Sequence, residues 1–314
     1  MLKRRKMDLT IKIGNTKFKN PVWVASGTFG YGKEFEEFVN LDKVGAIVTK
    51  TITLNAREGN PTPRIVETPS GLLNSIGLEN KGVEHFKKNY MPYLKKLDTK
   101  IVVSVAGSKK EEFIECVKAL TGRAAPDAIE LNLSCPNVKH SQTKYKLIAQ
   151  DPDSTAAIIK AVKKITKKPI IAKLTPNVTD IVAIAKKCEK AGADAVALVN
   201  TYFGMAVDAE TMKPVLGNVV GGLSGPAIKP MALKSVMDVF NNIDIPIIGI
   251  GGIMSGICAA EFMLCGASAV QVGTANFTDP GAQASVLKEL EAYLRRKKIK
   301  RAKDLIGKLE KGTK

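Results

Sequence analysis

Short apolar runs of four to six residues recur along the chain, separated by amphipathic segments. The runs are Val22–Ser26, Ala46–Thr51, Ile101–Ala106, Ala128–Leu133, Ile170–Leu174, Ala195–Val199, Ile247–Ile250 and Ala269–Val272. Each is followed by Gly, Asn, Thr or Pro, the pattern of parallel strands buried on both faces. Between them, Glu111–Leu120, Ser154–Lys164, Ile181–Ala191, Pro230–Val239 and Ala259–Leu264 carry helical spacing with Lys and Glu outward. Eight strands alternating with helices over about 270 residues predict a TIM (β/α)8 barrel, usually about 250 residues long. A doubly wound sheet would carry G-x-G-x-x-G after its first strand, and Ser26-Gly27-Thr28-Phe29-Gly30 does not supply it.

An N-terminal β-hairpin is expected over Leu9 to Phe18, turning at Gly14-Asn15. The chain reads as a single domain, 1–314, closing in a basic helix over about 285–314. Two connections, Thr51 to about Leu97 and Thr201 to Pro226, are too long for plain barrel loops. Connections of that length in a compact domain are usually functional.

Composition narrows the class. Of 314 residues 45% are hydrophobic, and no apolar run reaches the roughly 20 residues that cross a bilayer. The N-terminus is basic without a following apolar region, so no signal peptide is read and a cytoplasmic protein is expected. The net charge of +18 raises nucleic acid as a partner. The basic stretch Arg295–Arg301 lacks interleaved aromatics, however, and reads as a solvated helix face; neither a nucleic-acid nor a membrane partner is expected. Cys116, Cys135, Cys188, Cys258 and Cys265 form no C-x-x-C pair, and only His85 and His140 are present. No metal or iron–sulfur site fits that spacing, nor a Ser-His-Asp triad.

In a barrel, chemistry sits at the C-terminal ends of the strands. Those ends carry Ser26, Lys50-Thr51, Ser104, Asn132 with Cys135 beyond it, Lys173, Asn200-Thr201, Gly251-Gly252 and Gly273-Thr274. Two lysines ending buried strands need an anionic partner, because an unpaired buried ammonium is costly. The glycines after strands 7 and 8, with Gly225 ahead of the intervening helix, mark the usual barrel phosphate site. The set suits a ligand bearing phosphate, carboxylate and planar amide-like edges. Pro136 turns the chain out after the fourth strand, so Cys135 is expected at a strand's C-terminal end. The local sequence admits both a catalytic thiol there and a buried structural one.

The chain resembles dihydroorotate dehydrogenase of class 1, and the class 1B catalytic subunit most closely. The resemblance rests on Pro21–Gly32, Leu73-Asn74-Ser75-Ile76-Gly77-Leu78, Asn132-Leu133-Ser134-Cys135-Pro136-Asn137, Lys173–Thr179, Gly222-Leu223-Ser224-Gly225-Pro226 and Gln271–Phe277. It implies a TIM barrel that oxidises dihydroorotate to orotate on FMN in pyrimidine biosynthesis. It further implies FMN contacts from Ser26, Lys50, Thr51, Asn132, Lys173, Val199, Gly225, Gly251, Gly252, Gly273 and Thr274. Substrate would meet Lys50, Asn74, Ser75, Ile76, Gly77, Leu78, Asn132, Asn200 and Thr201, with Cys135 as general base. Electrons would pass to NAD through a partner subunit carrying FAD and an iron–sulfur cluster, around a homodimer core of a heterotetramer.

Two positions depart from the family pattern. Ser104 stands where asparagine is expected, and is kept as a cofactor contact through its hydroxyl. Lys139–Gln150 is longer and more basic than the family's glycine-containing loop, which bears on substrate choice. Another dihydropyrimidine as substrate, as in dihydropyrimidine dehydrogenase, is therefore the first alternative. An RNA dihydrouridine-synthase-like enzyme is the second, motivated by charge.

Overall fold

The structure, a computed structural model, describes residues 7–133 and 148–310. All eight expected strands form. They are β1 (Val22–Val24), β2 (Ala46–Val48), β3 (Lys100–Val105), β4 (Ala128–Asn132), β5 (Ile170–Lys173), β6 (Ala195–Leu198), β7 (Ile247–Ile250) and β8 (Ala267–Val272). All pairings are parallel, and β8 closes on β1 through Val270↔Val22, Gln271↔Trp23 and Val272↔Val24. The TIM barrel is thereby observed. Residues in these strands are almost all buried, because one face fills the barrel and the other lies under helices.

The helices are α1 (Val83–Asn89), α2 (Met91–Leu94), α3 (Lys110–Ala119), α4 (Pro152–Lys163), α5 (Ile181–Lys190), α6 (Lys229–Phe240), α7 (Gly256–Leu264), α8 (Ala275–Thr278) and α9 (Ala282–Arg296). Three start where a short polar side chain caps a free N–H: Asp151 for α4, Asp180 for α5 and Ser255 for α7. Their apolar stripes, such as Phe113, Cys116 and Val117 on α3, join the outward strand residues in the larger core.

The barrel interior is a second core. The predicted hairpin pairs Ile11–Ile13 with Thr16–Phe18, and Gly14 takes the left-handed backbone its turn requires. It plugs one end: Ile11, Ile13 and Phe18 cluster with Trp23 and the inward residues Ala46, Val102, Ala128, Ile171 and Ala195. The Phe18 and Trp23 rings lie 4.4 Å apart.

The two long connections are not loops alone. Tyr202–Met205, Val220–Ser224, Gly71–Asn74 and Ile65–Thr68 form a four-stranded antiparallel sheet in that order. Residues about 150 apart in sequence are thus laid side by side, as in Gly222↔Asn74. The last helix also differs from expectation: it ends at Arg296, and Lys298 adopts a positive φ of 58°. The basic segment beyond it is not a solvated helix face. Ala302 donates its N–H to Asp8 O (2.8 Å), Asp8 donates to Lys300 O (3.1 Å), and Leu305 is buried.

Candidate active site

The C-terminal ends of the barrel strands and the four-stranded sheet enclose a cavity of about 430 Å³, within the range of small-molecule and cofactor sites. Of the expected cofactor contacts, Ser26, Lys50, Thr51, Asn132, Lys173, Val199, Gly225, Gly251, Gly252, Gly273 and Thr274 line it. Of the expected substrate contacts, Asn74, Ile76, Gly77, Leu78, Asn200 and Thr201 do as well. Ser104 and Ser75 do not. Both are fully buried beside the cavity rather than in its wall. Cys135 and residues 139–147 of the basic segment lie outside the described residues.

Backbone register explains much of this convergence. Parallel pairing sets Ser104 beside Glu130 and Asn132 beside Lys173. Past the end of β1, Ala25 still donates to Val272 O (2.9 Å), so Ser26 reaches the cavity rim. Lys50 is fixed by its N–H, which donates to Gly30 O at 2.7 Å. Gly222 lets Thr201 sit directly against the sheet: an added Cβ would lie 2.0 Å from Thr201 Oγ1. Asn74 is pinned by its amide, which donates to Gly222 O at 3.3 Å.

The cavity floor is polar. Lys173 donates to Ser26 Oγ (3.2 Å) from the opposite side of the barrel. Its Nζ lies 3.9 Å from Glu130, a carboxylate with no solvent exposure. Glu130 accepts from Ser104 Oγ (2.9 Å) and, across the barrel, from Gln271 Nε2 (3.0 Å). These partners offset part of the cost of burying the carboxylate, which would be prohibitive for an isolated charge. Thr51 and Ser104 hydroxyls are 2.9 Å apart, and Asn132 Nδ2 donates to Thr51 Oγ1 at 3.1 Å.

Sequence reasoning passed over Glu130, Gln271 and Asn177. Asn177 donates to Thr201 O (2.9 Å) and accepts from Phe203 N (2.9 Å), holding the start of the four-stranded sheet. A signal for Glu130 existed: a carboxylate inside a strand buried on both faces must have partners waiting. Apolar walls from Phe35, Ile65, Leu72 and Phe277 were also unforeseen, since they come from outside the strand ends.

The other cysteines divide. Burial pushes the Cys116 and Cys188 thiols up to about 12. Cys265 is raised by the same cause. At half-buried Cys258 burial also raises, but Ser255, local backbone N–H groups and Lys229 outweigh it and leave the thiol below its ordinary value. Its sulfur accepts from Lys229 Nζ at 3.7 Å and stands outside the cavity.

The family model for dihydroorotate dehydrogenase matches residues 8–294. This chain belongs to the dihydroorotate dehydrogenase family. A relative from Geobacter sulfurreducens, named dihydroorotate dehydrogenase B (NAD(+)), catalytic subunit, is 50% identical over 306 residues, covering 98% of this chain and 99% of the relative. A protein of the same name from Phocaeicola vulgatus is 48% identical over 303 residues, covering 96% and 99%. The match agrees with the class 1B resemblance drawn from the motifs. Among the described residues, no helix is long and apolar enough to cross a membrane.

Proposed function

We propose that this dihydroorotate dehydrogenase family member is the catalytic subunit of an NAD-linked enzyme, oxidising dihydroorotate to orotate on FMN in pyrimidine biosynthesis. One observation carries the reading: Lys50 and Lys173, the amides of Asn132 and Asn200, and Asn74 from the four-stranded sheet all converge on one cavity. Cations for a carboxylate and a flavin ring, and amides for a planar diamide ring, are the donor set that such ligands require.

The residues fit FMN. Among the described residues, a Cβ added at Gly273 would meet only Ala25 Cβ, at 3.6 Å. Gly225, Gly251 and Gly252 all have positive φ, exposing backbone where a phosphate needs close approach. Gly225, Gly251, Gly252, Gly273 and Thr274 would hold the phosphate, and Lys173 with Ser26 would lie against the ring system. When bound, FMN supplies the acceptor for the hydride leaving C6 of the substrate.

The substrate carboxylate would face Lys50, and its ring edges Asn74, Asn132 and Asn200. Cys135, three positions after Asn132 in sequence, would take the C5 proton as a thiolate. Leu72 of the four-stranded sheet, with Ile76 and Leu78 in the segment after that strand, gives the cavity an apolar wall that would exclude water from the ring. Electrons would leave through a partner subunit, whose existence the relatives' name, catalytic subunit, supports; that partner would bear FAD and an iron–sulfur cluster.

The test is anaerobic mixing of the FMN-loaded chain with dihydroorotate. Flavin absorbance is expected to bleach rapidly, and Cys135→Ala to slow bleaching by roughly 10²–10⁴-fold. Bleaching by dihydrouracil but not dihydroorotate would replace this reading with another dihydropyrimidine. No bleaching by either would sink it.

A further inference from the structure

The polar groups under the cavity form one continuous chain with a fixed direction. At one end the backbone N–H of Thr201, which can only donate, bonds Asn200 Oδ1 at 2.9 Å. Asn200 Nδ2 donates to Asn132 Oδ1 (3.4 Å), and Asn132 Nδ2 donates to Thr51 Oγ1 (3.1 Å). Thr51 and Ser104 hydroxyls follow at 2.9 Å. At the far end Ser104 donates to Glu130 Oε1 at 2.9 Å, while Gln271 donates to Glu130 Oε2.

Proton counting settles the one ambiguous link. The single Ser104 proton is committed to Glu130, so Thr51 must donate to Ser104. That commits the Thr51 proton, so Thr51 can only accept from Asn132, whose carbonyl oxygen is then turned to Asn200. Reversing any member would set two donors or two acceptors face to face. With Ser104 and Glu130 at 0% and Thr51 and Asn132 at most 8% exposed, such a conflict is costly.

We propose that Ser104 and Glu130 are positioning residues: they anchor this relay and thereby fix which ends of the Asn132 and Asn200 amides meet the substrate ring. The inference rests on the proposed dihydroorotate reading for its ligand. It gives Ser104 a role other than the cofactor contact its strand-end position suggested. It also gives the buried carboxylate a task beyond balancing Lys173.

Orotate binding to the FMN-loaded chain, followed by calorimetry, tests it. Ser104→Ala removes the link to Glu130, and is expected to weaken orotate about tenfold and raise the dihydroorotate KM similarly, with FMN content and kcat little changed. Thr51→Val, which keeps shape but not the hydroxyl, is expected to weaken orotate comparably, and Thr51→Ser to restore it. Glu130→Gln is the control on direction. Turned over, the Gln271 amide would present Oε1, which has no partner among the described residues, to the new amide N–H, while the new carbonyl still accepts from Ser104. Glu130→Gln also removes the anion beside Lys173, so stability and FMN content are expected to fall, while the FMN-loaded fraction is expected to bind orotate more tightly than Ser104→Ala does.

Wild-type orotate affinity in both Ser104→Ala and Thr51→Val would overturn the proposal. So would a Thr51→Ser variant as weak as Thr51→Val, or a Glu130→Gln variant as weak as Ser104→Ala. Loss of FMN from Ser104→Ala in place of orotate affinity would return Ser104 to a cofactor contact. A wild-type chain that binds FMN but not orotate overturns the functional reading and this proposal with it.

Discussion

The two ends of the barrel are built from the same eight strands and share almost no chemistry. Near the strand starts, inward positions are Trp23, Ala46, Ala128 and Ala195, sealed by Ile11, Ile13 and Phe18 of the hairpin. A few residues further along, the inward positions are Ser104, Glu130, Lys173 and Gln271, all at most 5% exposed. Burial is equal at both ends, so exposure does not separate a structural end from a functional one. What separates them is who satisfies the buried groups. At the apolar end packing suffices, whereas at the polar end each group needs a named partner, several of them from the opposite wall.

Lys173→Met should expose that difference most sharply. It strips Glu130 of its cation, so a stability loss of about 3–5 kcal/mol is expected in denaturant titration, together with loss of FMN retention. Adding Glu130→Gln should recover most of the stability and none of the FMN. Recovery of both would mean that the polar end is held by charge balance alone.

Trp23→Ala probes the opposite end. A stability loss of about 3–5 kcal/mol is again expected from the cavity left behind. Here the dihydroorotate KM of the folded fraction should stay within about twofold of wild type, and a larger change would show the ends to be coupled. Gly252→Ala should act at the mouth only. Its φ of 68° disfavours a side chain, and the new Cβ would lie 2.8 Å from Lys229 Cβ and 2.9 Å from Gly225 O. FMN affinity, read by fluorescence titration, should fall roughly tenfold for a cost of ~1–2 kcal/mol.

The smallest effect is in the layer between barrel and helices, where Cys116 and Cys188 are buried with no polar duty. Their folded thiols sit near 12 against an ordinary value of 9.0. A raised acid favours folding while neutral, so this stability is complete below about pH 9 and drains as pH climbs towards 12. Melting temperature measured across that window should fall less steeply in Cys188→Ala than in wild type.

Strand positions were legible because a strand buried on both faces has no polar alternation to blur it. Ala128–Leu133 and Ile170–Leu174 each form within a residue of expectation. The four-stranded sheet was not legible. Gly71, Gly221 and Gly222 read as loop residues, yet each is needed because another chain segment passes too close for a side chain. The basic tail misled for a related reason. Lys297 to Arg301 has helical composition, but its backbone is captured by residue 8.

By itself the sequence determined the barrel, the hairpin that plugs it and the strand ends that carry polar side chains, since all three follow from local periodicity and the fixed geometry of parallel strands. Only the tertiary structure decided that Ser104 and Ser75 stand beside the cavity rather than in its wall, and that Glu130 is the acceptor on which the floor converges. Those outcomes depend on partners 26 to 147 residues away, as in Ser104–Glu130 and Lys173–Ser26. Hydrogen bonds are directional and short, so no local pattern can announce a bond whose two ends meet only when the barrel closes.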